Sequence, residues 1–208
     1  MKRIFNTTTM LLFLLAIATH AQAQSTKAGI KGGVNFSNLM QNEFDDEDMR
    51  VGFHAGVYGQ YMFASETMAL QPEILYSAKG SRAYYDFAGI NGDVKFNINY
   101  IDVPVLLVFK LGESVDIQVG PYFSYLLNAS VTSEGDLGDY DDDIDRDNFH
   151  SLDYGLVGGL AFNFNPVSLG VRYNYGLRPI AESDVAEELL DNAKNSVGQV
   201  YIAFNFGQ

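Results

Sequence analysis

The residues able to do proton, nucleophile or metal chemistry are few. The chain has 3 histidines and no cysteine, which excludes thiolate nucleophiles, disulfides and thiolate metal sites. His20 lies in the first 23 residues, leaving His54 and His150. His150 precedes Ser151 beside a run of aspartates, and a histidine, a serine and an acid can together activate a nucleophile. Sequence neighbours in a strand point to opposite faces, however, so no triad is expected there. His54 stands in "VGFHAGVYGQYMF" in the same two-residue phase as Tyr58 and Gln60 and is expected as an interior hydrogen-bonding residue.

The stretch "DYDDDIDRDN" sets Asp139, Asp141, Asp143, Asp145 and Asp147 at every second position. Alternate carboxylates can wrap a calcium ion. The EF-hand loop needs glycine at its sixth position and glutamate at its twelfth. Those positions are Arg146 and Leu152 from Asp141, Ile144 and His150 from Asp139, and Asn148 and Tyr154 from Asp143. All three frames fail, so residues 134–147 are expected as a mobile, solvated charge run, with loose divalent binding as the lesser alternative. No catalytic, cofactor-binding or metal-binding residue is assigned, and no enzyme activity is expected.

Charge elsewhere follows a stricter pattern. In "VSLGVRYNYGLRP" (167–179), Val167, Leu169, Val171, Tyr173, Tyr175 and Leu177 fall on one parity, with Arg172 and Arg178 on the other. Eight such alternating segments occur: 28–37, 51–63, 68–79, 99–110, 115–128, 151–164, 167–179 and 196–206. Each is about 10 to 14 residues long, whereas strands of soluble domains run nearer 5–6 and tilted membrane-crossing strands about 9–11. The connections alternate in length. "ASET", "LGES" and "NP" are tight turns, while 38–50, 80–97, 129–150 and 181–195 are long. An up-and-down barrel would carry every short turn on one rim and every long loop on the other, as outer-membrane barrels do. The expected fold is therefore all-β: an eight-stranded antiparallel up-and-down transmembrane β-barrel.

The N-terminus reads as a separate unit. Lys2 and Arg3 precede the apolar run Met10–Ala18, and Ala21 and Ala23 form an Ala-x-Ala cleavage site. Residues 1–23 are expected as a signal peptide and 24–208 as the barrel domain. The chain holds 13 Lys and Arg against 26 Asp and Glu, and losing Lys2 and Arg3 leaves 11 against 26, a net charge of −15. Nucleic acid is thereby disfavoured as a partner.

"NYIDVPVLLVFKLG" (99–112), "VGPYFSYLLN" (119–128) and "VRYNYGL" (171–177), with a closing strand ending on Phe206, resemble the PorT-like family of small outer-membrane β-barrels. More distantly the chain resembles OmpA-type eight-stranded barrels. The resemblance implies the outer membrane of a Gram-negative bacterium. It also implies contact with outer-membrane lipid and lipopolysaccharide, and insertion by machinery that reads a terminal aromatic.

In a membrane barrel the apolar parity faces lipid and the polar parity the lumen. Arg172 and Arg178 should then point inward, with Lys31, Lys79 and Lys110, against Glu73, Asp102, Asp116 and Asp153. Tyr58, Gln60, Tyr100, Gln118 and Tyr122 should also help fill the lumen, which in eight strands is just wide enough for side chains. Near-balanced charge suits a plugged, non-conducting barrel, with Glu73 and Arg172 near its middle. A turn centred on Glu113 puts Lys110 opposite Asp116, and one at Asn165–Pro166 puts Asp153 opposite Arg178. Strand four breaks phase, with Phe96 and Ile98 on even positions and Ile101 to Phe109 on odd ones. Either a bulge near Asn99–Tyr100 shifts it, or Phe96 and Ile98 stand above the membrane. Asp184 and Glu187 could cap a short helix over "VAEELLDNA" (185–193), with Val185, Leu189 and Ala193 on one face. The expected role is a structural or interaction protein acting through long acidic external loops, with an envelope protein as partner. A small-solute channel, or an accessory role in protein secretion, is the alternative.

Overall fold

The computed structural model describes residues 26–40, 49–87, 90–135, 140–144, 150–180 and 193–206. The strands are β1 (Thr26–Met40), β2 (Arg50–Met62), β3 (Met68–Phe87), β4 (Ile90–Leu111), β5 (Val115–Gly135), β6 (Tyr140–Ile144), β7 (Leu152–Phe164), β8 (Val167–Pro179) and β9 (Lys194–Asn205). All pairings are antiparallel. Neighbours run β1–β2–β3–β4–β5–β7–β8–β9, and β9 returns to β1. Eight strands thus close into an up-and-down barrel without a free edge. β6 is an addition, paired to the outer end of β5 from Ala129–Ile144 to Ser133–Tyr140. Among the described residues no helix is long and apolar enough to cross a membrane. The proposed signal peptide, and the proposed helix from its cap Asp184 to residue 192, lie outside the described residues.

The alternation does what the sequence pattern predicts. On β8 every even residue from Ser168 to Gly176 is buried, while Leu169, Val171, Tyr173, Tyr175 and Leu177 are exposed. β7 and β5 repeat this with Leu156, Leu160, Phe162, Ile117, Val119 and Phe123 on the outside. A continuous belt of exposed large apolar residues is stable only in hydrocarbon.

Three findings depart from the sequence reading. First, the connections 80–97 and 129–150 are not loops throughout. β3 and β4 stay in register from Met68–Phe109 out to Phe87–Ile90, and β5 continues to Gly135 and turns back as β6. "SRAYYDF" and "DVKFNI" carry aromatic and β-branched residues that suit a strand. "YDDDI", read as a solvated charge run, pairs through its backbone with β5 although aspartate disfavours strands.

Second, the bulge expected near Asn99–Tyr100 is present, but its extra residue is on β5. The β4–β5 register shifts between Asn99 and Tyr100: Asn99 faces Asn128 and Tyr100 faces Leu126. Leu127 is thus the extra residue. Inward parity on β5 passes from Leu126 to Ala129, both buried. From Ile98 to Val108 β4 keeps even residues inside, and Ile98 packs with Tyr100, Leu126, Ala129, Ile180 and Ala193.

Third, the lumen is not uniformly polar. Leu75, Leu106, Val108, Leu126, Val157 and Val197 all point inward and are buried. "VPVLLVF" is apolar on both parities, so periodicity alone could not show that β4 feeds apolar residues to both faces.

Candidate functional site

The lumen holds the buried polar residues, and its centre is Glu73 on β3. Lys31 Nζ on β1 lies 2.7 Å from Glu73 Oε1. Arg172 on β8 forks onto the same carboxylate, with Nη1 2.7 Å from Oε2 and Nη2 2.7 Å from Oε1. Gln71 Nε2 also donates to Oε1 at 2.6 Å. Gln118 Oε1 on β5 accepts from Arg172 Nε at 2.8 Å, Arg172 Nη2 at 2.6 Å and Tyr201 Oη at 3.0 Å. Lys31 Nζ sits 4.2 Å from the Tyr201 ring centroid and 5.4 Å from that of Tyr58. Four strands are tied together across the barrel axis by charge-assisted bonds, which are shorter and stronger than neutral ones, and β9 joins them through the Tyr201 hydroxyl.

Glycine makes room for this layer. A Cβ on Gly170 would collide with the ring of Tyr201, and one on Gly29 with the ring of Tyr58. Both rings lie against walls that only glycine leaves open, which holds them near Lys31.

A second ion pair lies nearer the long-connection end. Lys79 Nζ is 2.9 Å from Asp102 Oδ1 and 3.3 Å from Ser124 Oγ, which itself donates to Asp102. Its ammonium stands 4.9 and 5.1 Å from the ring centroids of Tyr100 and Tyr122. Asn35 forms a neutral hub: Nδ2 donates to Phe53 O, Ser77 Oγ and Ala78 O, and Oδ1 bonds His54 Nδ1 at 2.7 Å and Gln199 Nε2 at 2.9 Å. His54 is therefore an interior hydrogen-bonding residue, as its parity predicts. Its Nε2, Asp153 Oδ1 and Asn174 Oδ1 are buried without a hydrogen-bond partner.

The two cross-strand pairs differ. Lys110 faces Asp116, with Nζ 3.2 Å from Oδ1, as read from the turn. The β7–β8 ladder also has the expected register, with Gly155 facing Gly176 and Phe164 facing Val167. Asp153 and Arg178 nevertheless do not pair. Arg178 Nη1 donates to Leu152 O at 2.9 Å, and Nη2 lies 2.9 Å from His150 Nδ1. The Asp153 carboxylate takes Asn195 Nδ2 at 2.8 Å and the Tyr122 hydroxyl at 3.2 Å. Arg178 sits on the last rungs of β8, where its long side chain reaches a carbonyl and the rim, so it leaves the lumen charge set. The remaining four cations and four acids balance. His150 is thus a partner of Arg178 beside an exposed Ser151. Among the described residues no cluster of three histidine, aspartate or glutamate side chains is placed to hold a metal. Residues 136–139 and 145–147 of the acidic run lie outside the described residues.

Below the Glu73 layer the lumen opens into a cavity of about 590 Å³ at the short-turn end. Lys27, Gln60, Gln118, Asn163 and Ser168 are among its lining residues. Lys27 and Asn35 were not singled out in the sequence, although both lie on the inward parity of β1. Arg50, one residue before the second alternating segment, was missed too. It bonds Asn97 Oδ1 at 2.9 Å and Lys79 O at 2.7 Å.

Residues 22–182 match the family model for the outer membrane protein beta-barrel domain. The chain belongs to this family. It is an outer-membrane β-barrel protein of Gram-negative type, crossing with strands. Among solved structures, Ail, the attachment invasion locus protein of Yersinia pestis, in complex with the heparin analogue sucrose octasulfate, is 17% identical with a TM-score of 0.45, covering 88% of this chain and 99% of Ail. Neisserial surface protein A is 14% identical with a TM-score of 0.44, over 86% and 97%. A de novo designed transmembrane β-barrel is 12% identical with a TM-score of 0.39, over 89% and 98%. No curated protein matches the chain.

Proposed function

We propose that the protein is a non-enzymatic, non-conducting barrel that holds extramembrane β-ribbons for contact with an envelope or surface partner. The observation that carries this reading is the length of β3, β4 and β5. They run 20, 22 and 21 residues, about twice the 9–11 that a tilted crossing needs. Paired ribbons are stiffer than loops and present a defined surface. The middle of the lumen beneath them is filled: Leu106, Tyr122 and Val157 pack together inside it, beside the buried ion pairs. The acidic excess of the chain, concentrated in sequence at 43–48 and 134–147, favours a basic partner surface or divalent-bridged lipopolysaccharide. The apolar belt faces outer-membrane lipid, and β9 with the following Phe206 is the segment offered to the insertion machinery. A finer affinity with the PorT-like group rests on the strand patterns at 99–112, 119–128 and 171–177.

The test is cross-linking on intact cells. The parent is compared with a variant in which 82–95 are replaced by an Asn-Gly turn, which suits a two-residue hairpin. The expected result is a specific adduct with the parent that disappears in the variant, while the variant still migrates as a folded barrel in unheated gels. An adduct unchanged by removal of the ribbon, or none with the parent, would contradict the reading.

A further inference from the structure

We propose that the cavity at the short-turn mouth binds small carboxylates of peptide type, entering carboxylate-first from the periplasmic side. Its volume of about 590 Å³ falls within the roughly 300–1,000 Å³ of small-molecule sites. Short turns mark the periplasmic rim of outer-membrane barrels.

The floor carries an unbalanced charge. Lys31 and Arg172 share one carboxylate, Glu73. Asp116, the strand-borne acid lining the cavity, is already held by Lys110. The layer is one positive charge in excess, and at a site lined by protein on most sides an anion that reaches it gains more than it would in open water. Lys31 itself lines the cavity.

Gln118 supplies a directed donor. Its Oε1 is taken by Arg172 and Tyr201, which fixes which end of the carboxamide is oxygen. The residue is only 3% exposed, lines the cavity, and its NH2 has no protein partner among the described residues. An ammonium and a free amide N–H on one floor suit a carboxylate oxygen pair. A phosphate would bring nearly two negative charges to a floor short of one.

The walls suit the rest of a peptide. Gln60, Gln71, Asn163 and Asn205 line them; Gln71 and Asn205 are engaged with Glu73, Pro166 and Ser168, while Gln60 Oε1 as acceptor and Asn163 Nδ2 as donor have no protein partner among the described residues. Ala161 and Ala203 line the bore with small side chains, and Glu66 and Glu113 on two rim turns line it with Lys27, an acidic excess at the mouth that suits a ligand ammonium. The site needs the lumen closed above it, and so rests in part on the non-conducting reading.

The experiment is calorimetric titration of the full-length barrel in detergent micelles with trialanine, trialanine amide and inorganic phosphate. Trialanine is expected to bind saturably, and the amide at least about tenfold more weakly. Gln118→Glu keeps an oxygen for Arg172 and Tyr201, removes the NH2 and adds the missing negative charge. It is expected to weaken trialanine binding by more than about tenfold while still migrating as a folded barrel. Ala203→Leu narrows the bore without touching the charged layer and should also weaken binding. Equal affinity for acid and amide, tighter binding of phosphate, undiminished binding by folded Gln118→Glu, or no saturable binding would each overturn the proposal. Bilayer conductance reads closure of the lumen separately, so the two readings can fail independently.

Discussion

Glu73→Ala is the perturbation that bears most directly on the lumen layer. It leaves Lys31 and Arg172, whose side chains are 2% and 1% exposed, without their shared acid. It also strips an acceptor from Gln71. Breaking one buried pair costs about 3–5 kcal/mol. Two cations depend on this carboxylate, but Lys31 also borders the cavity and regains some water. The expected loss is therefore near 4 kcal/mol. The chain has no tryptophan, so urea unfolding in micelles is followed by far-UV circular dichroism and by gel migration without heating. Lys110→Met is the control. Its pair with Asp116 is 3.2 Å long and Lys110 is 18% exposed, so its loss should cost no more than about 1 kcal/mol. Replacing all three residues together, Lys31→Met, Glu73→Leu and Arg172→Met, should recover most of the stability, because packed apolar groups can substitute for a buried ion cluster. The reasoning fails if Glu73→Ala costs no more than Lys110→Met.

Other residues give sharper contrasts in the same unfolding assay. Asn35→Leu removes the hub that joins His54, Ser77 and Gln199, and should cost about 2–3 kcal/mol by leaving buried groups unpaired. Gly170→Ala drives a methyl into the Tyr201 ring and should cost about 1–3 kcal/mol through overpacking. Arg178→Ala should change stability by no more than about 0.5 kcal/mol, since its partners lie at the rim outside the charged layer.

Much of this architecture is legible in the sequence because a membrane forces the period of two to hold over a full crossing. Arg172 could be placed inside from the parity of "VSLGVRYNYGLRP" alone, and Lys110 could be paired with Asp116 because a short turn fixes register. The same register logic placed Asp153 across from Arg178 but could not say where a long arginine side chain goes on the last rungs of a strand. Leu106 and Val108 show a different limit: where both parities are apolar, no pattern tells which residues enter the lumen. Leu127 shows a third. The register shift at Asn99–Tyr100 was expected, but the apolar Ile98 that suggested it is an inward residue of an unshifted β4, and the extra residue lies across the ladder on β5. The β3–β4 ribbon and β6 were hidden because Gly80, Asn91, Gly92 and the aspartates of "YDDDI" carry turn and solvent signals. Backbone pairing to a strand already held by the barrel overrides those local preferences.

The central claim is that the barrel is closed across its axis by the Glu73 layer and by the apolar residues packed beside it. Single-channel recording of the purified full-length protein in planar bilayers tests it most directly. A closed lumen predicts a quiet baseline, with no stable current steps of porin size at any holding potential that the bilayer survives. Reproducible, long-lived steps of that size from protein shown by gel migration to be folded would contradict the closed barrel and favour solute passage.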